Sequence, residues 1–308
     1  MLRSFIRFYL LPGLMLLAAL ALAACATTVS ALSGGLGDPP ATATPTPLQP
    51  VLPTLTFTPV PTPTLTPEPS PTACREMRGS VQRLELETEQ LSRPLAFRLY
   101  LPPCYDAGRS GGYPLLILLH GQSASDELWD SLGADETADA LITAGQAAPF
   151  LIAMPYEEYY LMDMRQSTFP DAIVQSLVPW IDAHYNTCAQ RECRAIGGIS
   201  RGAIWAVRLG FMHWDVFSIV GAHSYPGNYY NFSAWLQDIP QDAVPRVYAD
   251  IGQWDPYVED ATQLNALLEG YDIPHEWHLN PGTHNEEYWS SHVEEYLRWY
   301  TSTWKETP

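Results

Sequence analysis

Twelve prolines lie between Pro39 and Pro71, interleaved mostly with threonine. Proline has no backbone N–H to donate and favours extended polyproline geometry, so neither a helix ladder nor a sheet can propagate through such a stretch. With no regular elements there is no core. Residues 25–73 are therefore expected to form a stiff tether, which at about 3.1 Å per residue could span on the order of 100 Å. Any globular fold is confined to residues 74–308.

The chain before the tether reads as an address. Arg3 and Arg7 precede an apolar run from Tyr9 to Ala24, interrupted only by Pro12-Gly13. The run is short for a membrane span and ends in small residues, which marks residues 1–24 as a signal peptide. Its end, Leu22-Ala23-Ala24-Cys25, resembles the bacterial lipobox. The resemblance implies that Cys25 is acylated and becomes the mature N-terminus; an ordinary signal peptide cut nearby is the alternative. More than one acyl chain holds a protein stably on a membrane. The expected location is thus extracytoplasmic, lipid-anchored to the cell membrane.

Composition narrows the partners. There are 16 Lys+Arg against 34 Asp+Glu, a formal net charge of −18. Nucleic acid is excluded as a partner by the lack of a basic footprint, and attraction to anionic lipid is disfavoured for the same reason. Ten Trp and 17 Tyr are too much apolar surface for a disordered chain.

Within residues 74–308 the pattern is α/β. Val81–Glu87 and Leu95–Leu101 alternate as an antiparallel pair. Pro114–Leu119 and Phe150–Met154 are continuous apolar runs, as expected of strands covered on both faces. Asp171–Tyr185 reads as an amphipathic helix with Ile173, Leu177, Trp180, Ile181 and His184 on one side. Then come a strand at Arg194–Ile199, a helix at Arg201–Met212, and strands at Phe217–Ala222, Val247–Ile251 and His275–Leu279. Further helices are expected near Glu259–Glu269 and Glu286–Trp304. Alternating strands and helices predict a mostly parallel central sheet with helices on both faces.

Cys25 aside, four cysteines remain: Cys74, Cys104, Cys188 and Cys193. Cys188 and Cys193 bracket a short turn; Cys74 sits at the domain edge and Cys104 ends a strand. The expected bridges are Cys74–Cys104 and Cys188–Cys193, in an oxidising compartment. The spacings do not suit zinc, and no P-loop, H-E-x-x-H or Rossmann glycine pattern appears, so no metal and no cofactor is expected.

The chemistry centres on Gly198-Ile199-Ser200-Arg201-Gly202, a G-x-S-x-G stretch between an expected strand and an expected helix. A sharp strand-to-helix turn exposes the serine hydroxyl at a helix N-terminus, where negative charge is favoured. A serine hydroxyl needs a base, and the base an orienting acid, in the chain order Ser, acid, His. Asp255 follows the strand Val247–Ile251 on a loop at the sheet edge where ligands bind, whereas Asp250 lies inside that strand and Asp260 in the next helix. His284 follows a turn after Leu279, whereas His275 and His278 belong to a strand and His292 to a helix. The backbone N–H groups of Gln122, after His120-Gly121, and of Arg201, after the nucleophile, are the expected oxyanion donors. His120 is read as structural support. Trp254, beside Asp255, is expected to shield the acid from water.

Together His120-Gly121-Gln122, Gly198-x-Ser200-Arg201-Gly202, Gly252-x-x-Asp255-Pro256 and Pro281-Gly282-x-His284 resemble the esterase family of the α/β-hydrolase superfamily. That family includes enterochelin-type, feruloyl and acetyl-xylan esterases, S-formylglutathione hydrolases and mycolyltransferases. The resemblance covers about residues 80–304. It departs at Ala203, where many members carry a second glycine. It implies an α/β-hydrolase fold and hydrolysis of carboxylic esters through an acyl-enzyme on Ser200, without cofactor. A small-molecule or carbohydrate ester is the expected substrate, a feruloyl or acetyl ester being one form. The acidity disfavours an anionic substrate. Tyr225, Tyr229, Tyr230, Phe232 and Trp235 could wall its pocket. Acyl transfer of the mycolyltransferase type, and a non-catalytic surface binding protein on the same fold, are the alternatives.

Overall fold

The computed structural model describes residues 74–227 and 231–304. The signal peptide 1–24, Cys25, the tether 25–73, Tyr229 and Tyr230 lie outside the described residues. Among those described, no helix is long and apolar enough to cross a membrane.

Eight strands form one sheet: β1 (Ser80–Leu86), β2 (Leu95–Leu101), β3 (Leu115–Leu119), β4 (Leu151–Pro155), β5 (Arg194–Ile199), β6 (Ile219–His223), β7 (Arg246–Gly252) and β8 (His275–Asn280). Their spatial order is β1-β2-β4-β3-β5-β6-β7-β8. Strand β2 pairs antiparallel with β1 and β4, and every other neighbouring pair is parallel. The helices are α1 (Leu128–Ser131), α2 (Ala134–Thr143), α3 (Phe169–Ala172), α4 (Val178–His184), α5 (Arg201–Met212), α6 (Phe232–Leu236), α7 (Val258–Gly270) and α8 (Glu286–Thr301).

The apolar runs follow from coverage on both faces. Successive strand residues point to opposite sides. Leu115, Ile117 and Leu119 of β3 enter a core shared with α3–α5 and α7, while Leu116 and Leu118 enter a second core with α1, α2 and α8. All five β3 residues are buried, so no polar alternation remains to be seen in the sequence.

The helix expected over Asp171–Tyr185 is present but not uniform. A π-helical turn, Ile173–Leu177, joins α3 to α4. Pro179 explains it, because its missing N–H and its ring disrupt the bond that the carbonyl of residue 175 would accept in a regular helix. His184 is exposed and stacks on Trp180 at 4.2 Å rather than joining the buried face. Helices α1 and α2 were not expected from the sequence.

Candidate active site

Each candidate residue sits just past the C-terminal end of a parallel strand: His120 after β3, Ser200 after β5, Asp255 after β7 and His284 after β8. Ser200 has φ 56° and ψ −119°, a conformation that side chains strain against. Its N–H donates to the His223 carbonyl at 2.9 Å, which holds the turn against β6.

The flanking glycines allow that turn by close approach. A Cβ on Gly202 would lie 2.3 Å from the Leu119 carbonyl oxygen, and one on Gly198 would lie 2.3 Å from the carbonyl carbon of Gly202. Only bare backbone lets α5 start this close to β3 and β5. Position 203 needs no glycine: Ala203 is wholly buried and joins the core.

The three polar side chains meet. The Ser200 hydroxyl lies 2.9 Å from His284 Nε2, and His284 Nδ1 lies 2.7 Å from Asp255 Oδ2. With Nδ1–H donating to the carboxylate, Nε2 accepts from the serine. Asp255 is 2% exposed, and its other oxygen accepts the Tyr257 N–H at 2.9 Å. This arrangement can take a proton from the serine as the hydroxyl attacks an electrophilic carbon, and can stabilise the imidazolium that forms.

Neither rival carboxylate reaches His284. Asp250 is wholly buried, accepting from His223, Tyr288 and Tyr296 at 2.6–2.7 Å. Asp260 is in α7, beside Gly227. His275 bonds Ile273 and Asn265, His278 stacks on Tyr248, and His292 bonds the Tyr288 carbonyl.

Trp254 corrects one expectation. Its side chain is not a shield, since the residue is 68% exposed. Tyr257 and Trp289 flank the His284 ring instead, edge-on at 5.0 and 5.1 Å. The expected aromatic wall is corrected as well. Tyr225 and Phe232 are core residues, and Trp235 lines a cavity of about 270 Å³ with Met164, Ile204 and Met212.

At the donor end, a Cβ on Gly121 would stand 3.5 Å from Ser200 Cβ, so the Gly121-Gln122 backbone runs beside the nucleophile. Arg201 opens α5, where no preceding helical turn accepts its N–H. His120 is 4% exposed. Its Nδ1 donates to the Gly121 carbonyl at 2.7 Å, and its Nε2 accepts the Glu157 N–H at 2.8 Å. Burial lowers its pKa, in keeping with this neutral tautomer. The Arg201 side chain is nearly buried and makes a two-pronged pair with Glu157 at 2.6 and 2.8 Å. Glu157 carried no sequence signal: it sits on a loop with no motif around it.

A cavity of about 250 Å³ opens beside Glu157, lined by Leu91, Pro94, Tyr156, Tyr159 and Phe169. None of the three converging residues lines it. Both expected disulfides are formed in the structure, Cys74–Cys104 and Cys188–Cys193, each with Cα atoms 5.8 Å apart.

Residues 88–300 match the model of the Esterase family. An endo-1,4-beta-xylanase/feruloyl esterase of Xylanibacter ruminicola is 28% identical over 136 residues, 41% of this chain and 19% of that protein. An esterase of Mycobacterium tuberculosis is 29% identical over 138 residues, 42% of this chain and 28% of that protein. The matches thus span less than a third of the length of these curated relatives. Among solved structures, a ferulic acid esterase superposes with TM-score 0.65 at 22% identity, covering 74% of this chain and all of that one.

Proposed function

This chain belongs to the Esterase family of α/β-hydrolases, and on that premise we propose that it hydrolyses carboxylic esters through an acyl-enzyme on Ser200. One observation carries the reading: a strained serine at a strand–helix turn is hydrogen-bonded to His284, which is bonded in turn to a buried Asp255. His284 takes the Ser200 proton as Oγ attacks the ester carbonyl. The Gln122 and Arg201 N–H groups receive the developing oxyanion. Collapse expels the alcohol, protonated by His284, and leaves an acyl-serine. Water, activated by the same imidazole, then releases the acid. No step needs a metal or a cofactor.

Two relatives named as feruloyl or ferulic acid esterases favour a neutral aromatic or carbohydrate ester as substrate, and the chain's acidity agrees with an uncharged one. We place the enzyme outside the cytoplasm, tethered through Cys25; the two disulfides support an oxidising compartment.

The test is turnover of p-nitrophenyl acetate. Ser200→Ala should lower kcat by at least about 10³-fold with the fold intact, and Asp255→Asn by up to about 10⁴-fold through the wrong imidazole tautomer. In the wild type, mass spectrometry during turnover should find an acetyl group on Ser200. A Ser200→Ala variant with unchanged turnover would overturn the reading.

A further inference from the structure

We propose that Glu157 is a positioning residue for the oxyanion hole, fixing both of its N–H donors at once, one through its side chain and the other through its main chain. The inference rests on the reading of Ser200 as nucleophile.

The side-chain arm runs to α5. The Glu157 carboxylate accepts Arg201 Nε at 2.8 Å and Nη2 at 2.6 Å, and it also accepts Trp205 Nε1 at 2.9 Å. Glu157 is 3% exposed, and the Trp205 beneath it is wholly buried. Arg201 Nη2 also donates to the Met162 carbonyl at 3.2 Å. A planar guanidinium held at two oxygens has little freedom to rotate. The same residue, Arg201, supplies the donor N–H that follows the nucleophile, so the clamp anchors the side chain of the residue that carries that donor at the start of α5.

The main-chain arm runs to the other donor. The Glu157 N–H donates to His120 Nε2 at 2.8 Å, and His120 Nδ1 donates to the Gly121 carbonyl at 2.7 Å. That carbonyl belongs to the peptide whose N–H is Gln122's. The orientation of the carbonyl is therefore the orientation of the donor, because the peptide is planar. Two donors 79 positions apart in the chain are thus referred to one residue of the loop after β4.

The arrangement has an electrostatic consequence. A buried guanidinium beside an oxyanion would attract it wherever it sat; with the Glu157 carboxylate paired to it, Arg201 is neutralised as a pair. The hole then acts through the directed N–H groups, which are aimed before the reaction starts and need no rearrangement as charge develops.

The experiment compares the wild type with Glu157→Gln and with His120→Asn, the first removing the charged clamp and the second the link to Glu157 N–H. Three quantities are measured for each: kcat and KM for p-nitrophenyl acetate, inhibition by an aryl trifluoromethyl ketone, and melting temperature. The ketone forms a hemiketal oxyanion on Ser200 and so reports the hole itself. Loss of a whole donor typically costs about 10²–10³ in rate, and misaimed donors should cost less, about 10–100-fold in kcat. KM should move less than about threefold, since the lost interaction is made mainly in the transition state. Ketone affinity should fall by the same factor as kcat/KM in each variant. The double variant should lose less than the product of the two single losses, because both release one hole. If Glu157→Gln does not fold, Arg201→Lys, which breaks the two-pronged pair from its other end, tests the side-chain arm and His120→Asn the main-chain arm, through the same kcat and ketone readouts. Folded variants with unchanged kcat and ketone affinity, or with KM raised and kcat intact, overturn the inference. The reading of Ser200 is tested separately by Ser200→Ala, whose unchanged turnover would remove the oxyanion itself.

Discussion

Ser200 carries its hydroxyl on a backbone that side chains rarely adopt, and the strain is separable from the chemistry. At φ 56° and ψ −119° the Cβ is the source of the strain. Conformations of this kind cost about 1–3 kcal/mol. Ser200→Ala and Ser200→Gly both remove the nucleophile and should be equally inactive. Only the glycine removes the Cβ. It should therefore be the more stable of the two, by about 1–2 kcal/mol after the extra flexibility that glycine gives the unfolded chain is deducted. Urea unfolding of the two variants measures the difference. A glycine variant less stable than the alanine one by about 0.5–1 kcal/mol, the cost of its extra flexibility alone, would show that this backbone carries no strain in the folded protein. His120 makes the complementary point at the same scale. A buried imidazole one residue from a donor loop invites a catalytic reading, yet both of its nitrogens are occupied by backbone.

At the scale of elements, α2 shows why some helices escaped the sequence. It buries Ala134, Ala138 and Leu141, the right spacing for a helical face, but two of the three are alanines and contribute little apolar signal. The same helix holds Asp135, whose pKa is raised from 3.8 to about 7, first by burial and then by its hydrogen bond to and repulsion from Glu136. An acid with a raised folded-state pKa binds its proton more tightly in the native state than in the unfolded chain. Stability is then complete below about pH 4 and falls as pH rises towards and through 7. Asp135→Asn should remove that slope. Its melting temperature should exceed the wild type's at pH 8 and approach it near pH 4. A gap that stays constant across this range would contradict the assignment. In α8 the burden is opposite. Tyr288, Tyr296 and Tyr300 line the second core, and burial raises each phenol's pKa, so they remain donors to Asp250 and His223. That network fastens the helix following His284 to the two strands behind the nucleophile.

For the whole molecule, the Cys74–Cys104 bridge closes a separation of 30 residues and Cys188–Cys193 one of 5, so the first restricts far more of the unfolded chain. Bridges of this kind persist outside the reducing cytosol, in keeping with export. The export and acylation proposed above give a definite expectation for the intact protein: its mature N-terminus should be Cys25, carrying lipid. Mass spectrometry of the N-terminal peptide from the membrane fraction checks it, and a Cys25→Ser form should be found in the soluble fraction. An unmodified N-terminus at another position would instead mark a freely secreted enzyme.

How much of this was legible in the sequence depended on how local the cause was. The turn from β5 through Ser200 into α5 lies within consecutive residues, so hydrophobic pattern and glycine spacing marked it. The mostly parallel sheet was legible because parallel strands need intervening helices, and these left their period in the chain. The convergence of Ser200, His284 and Asp255 is a tertiary matter, with partners separated by 84 and 29 positions. Sequence reasoning named the three from their places at strand ends and set Asp250 aside as lying inside its strand; the packed sheet adds the physical reason, since the Asp250 carboxylate is taken up by buried donors. The exposure of Trp254, the burial of Tyr225 and the clamp at Glu157 had no local signature at all. The clamp depends on β4, α5 and the loop after β3 being brought side by side, and Tyr225 and Trp254 on how the loops after β6 and β7 pack; both are set by packing across the sheet rather than by the residues next to them in the chain.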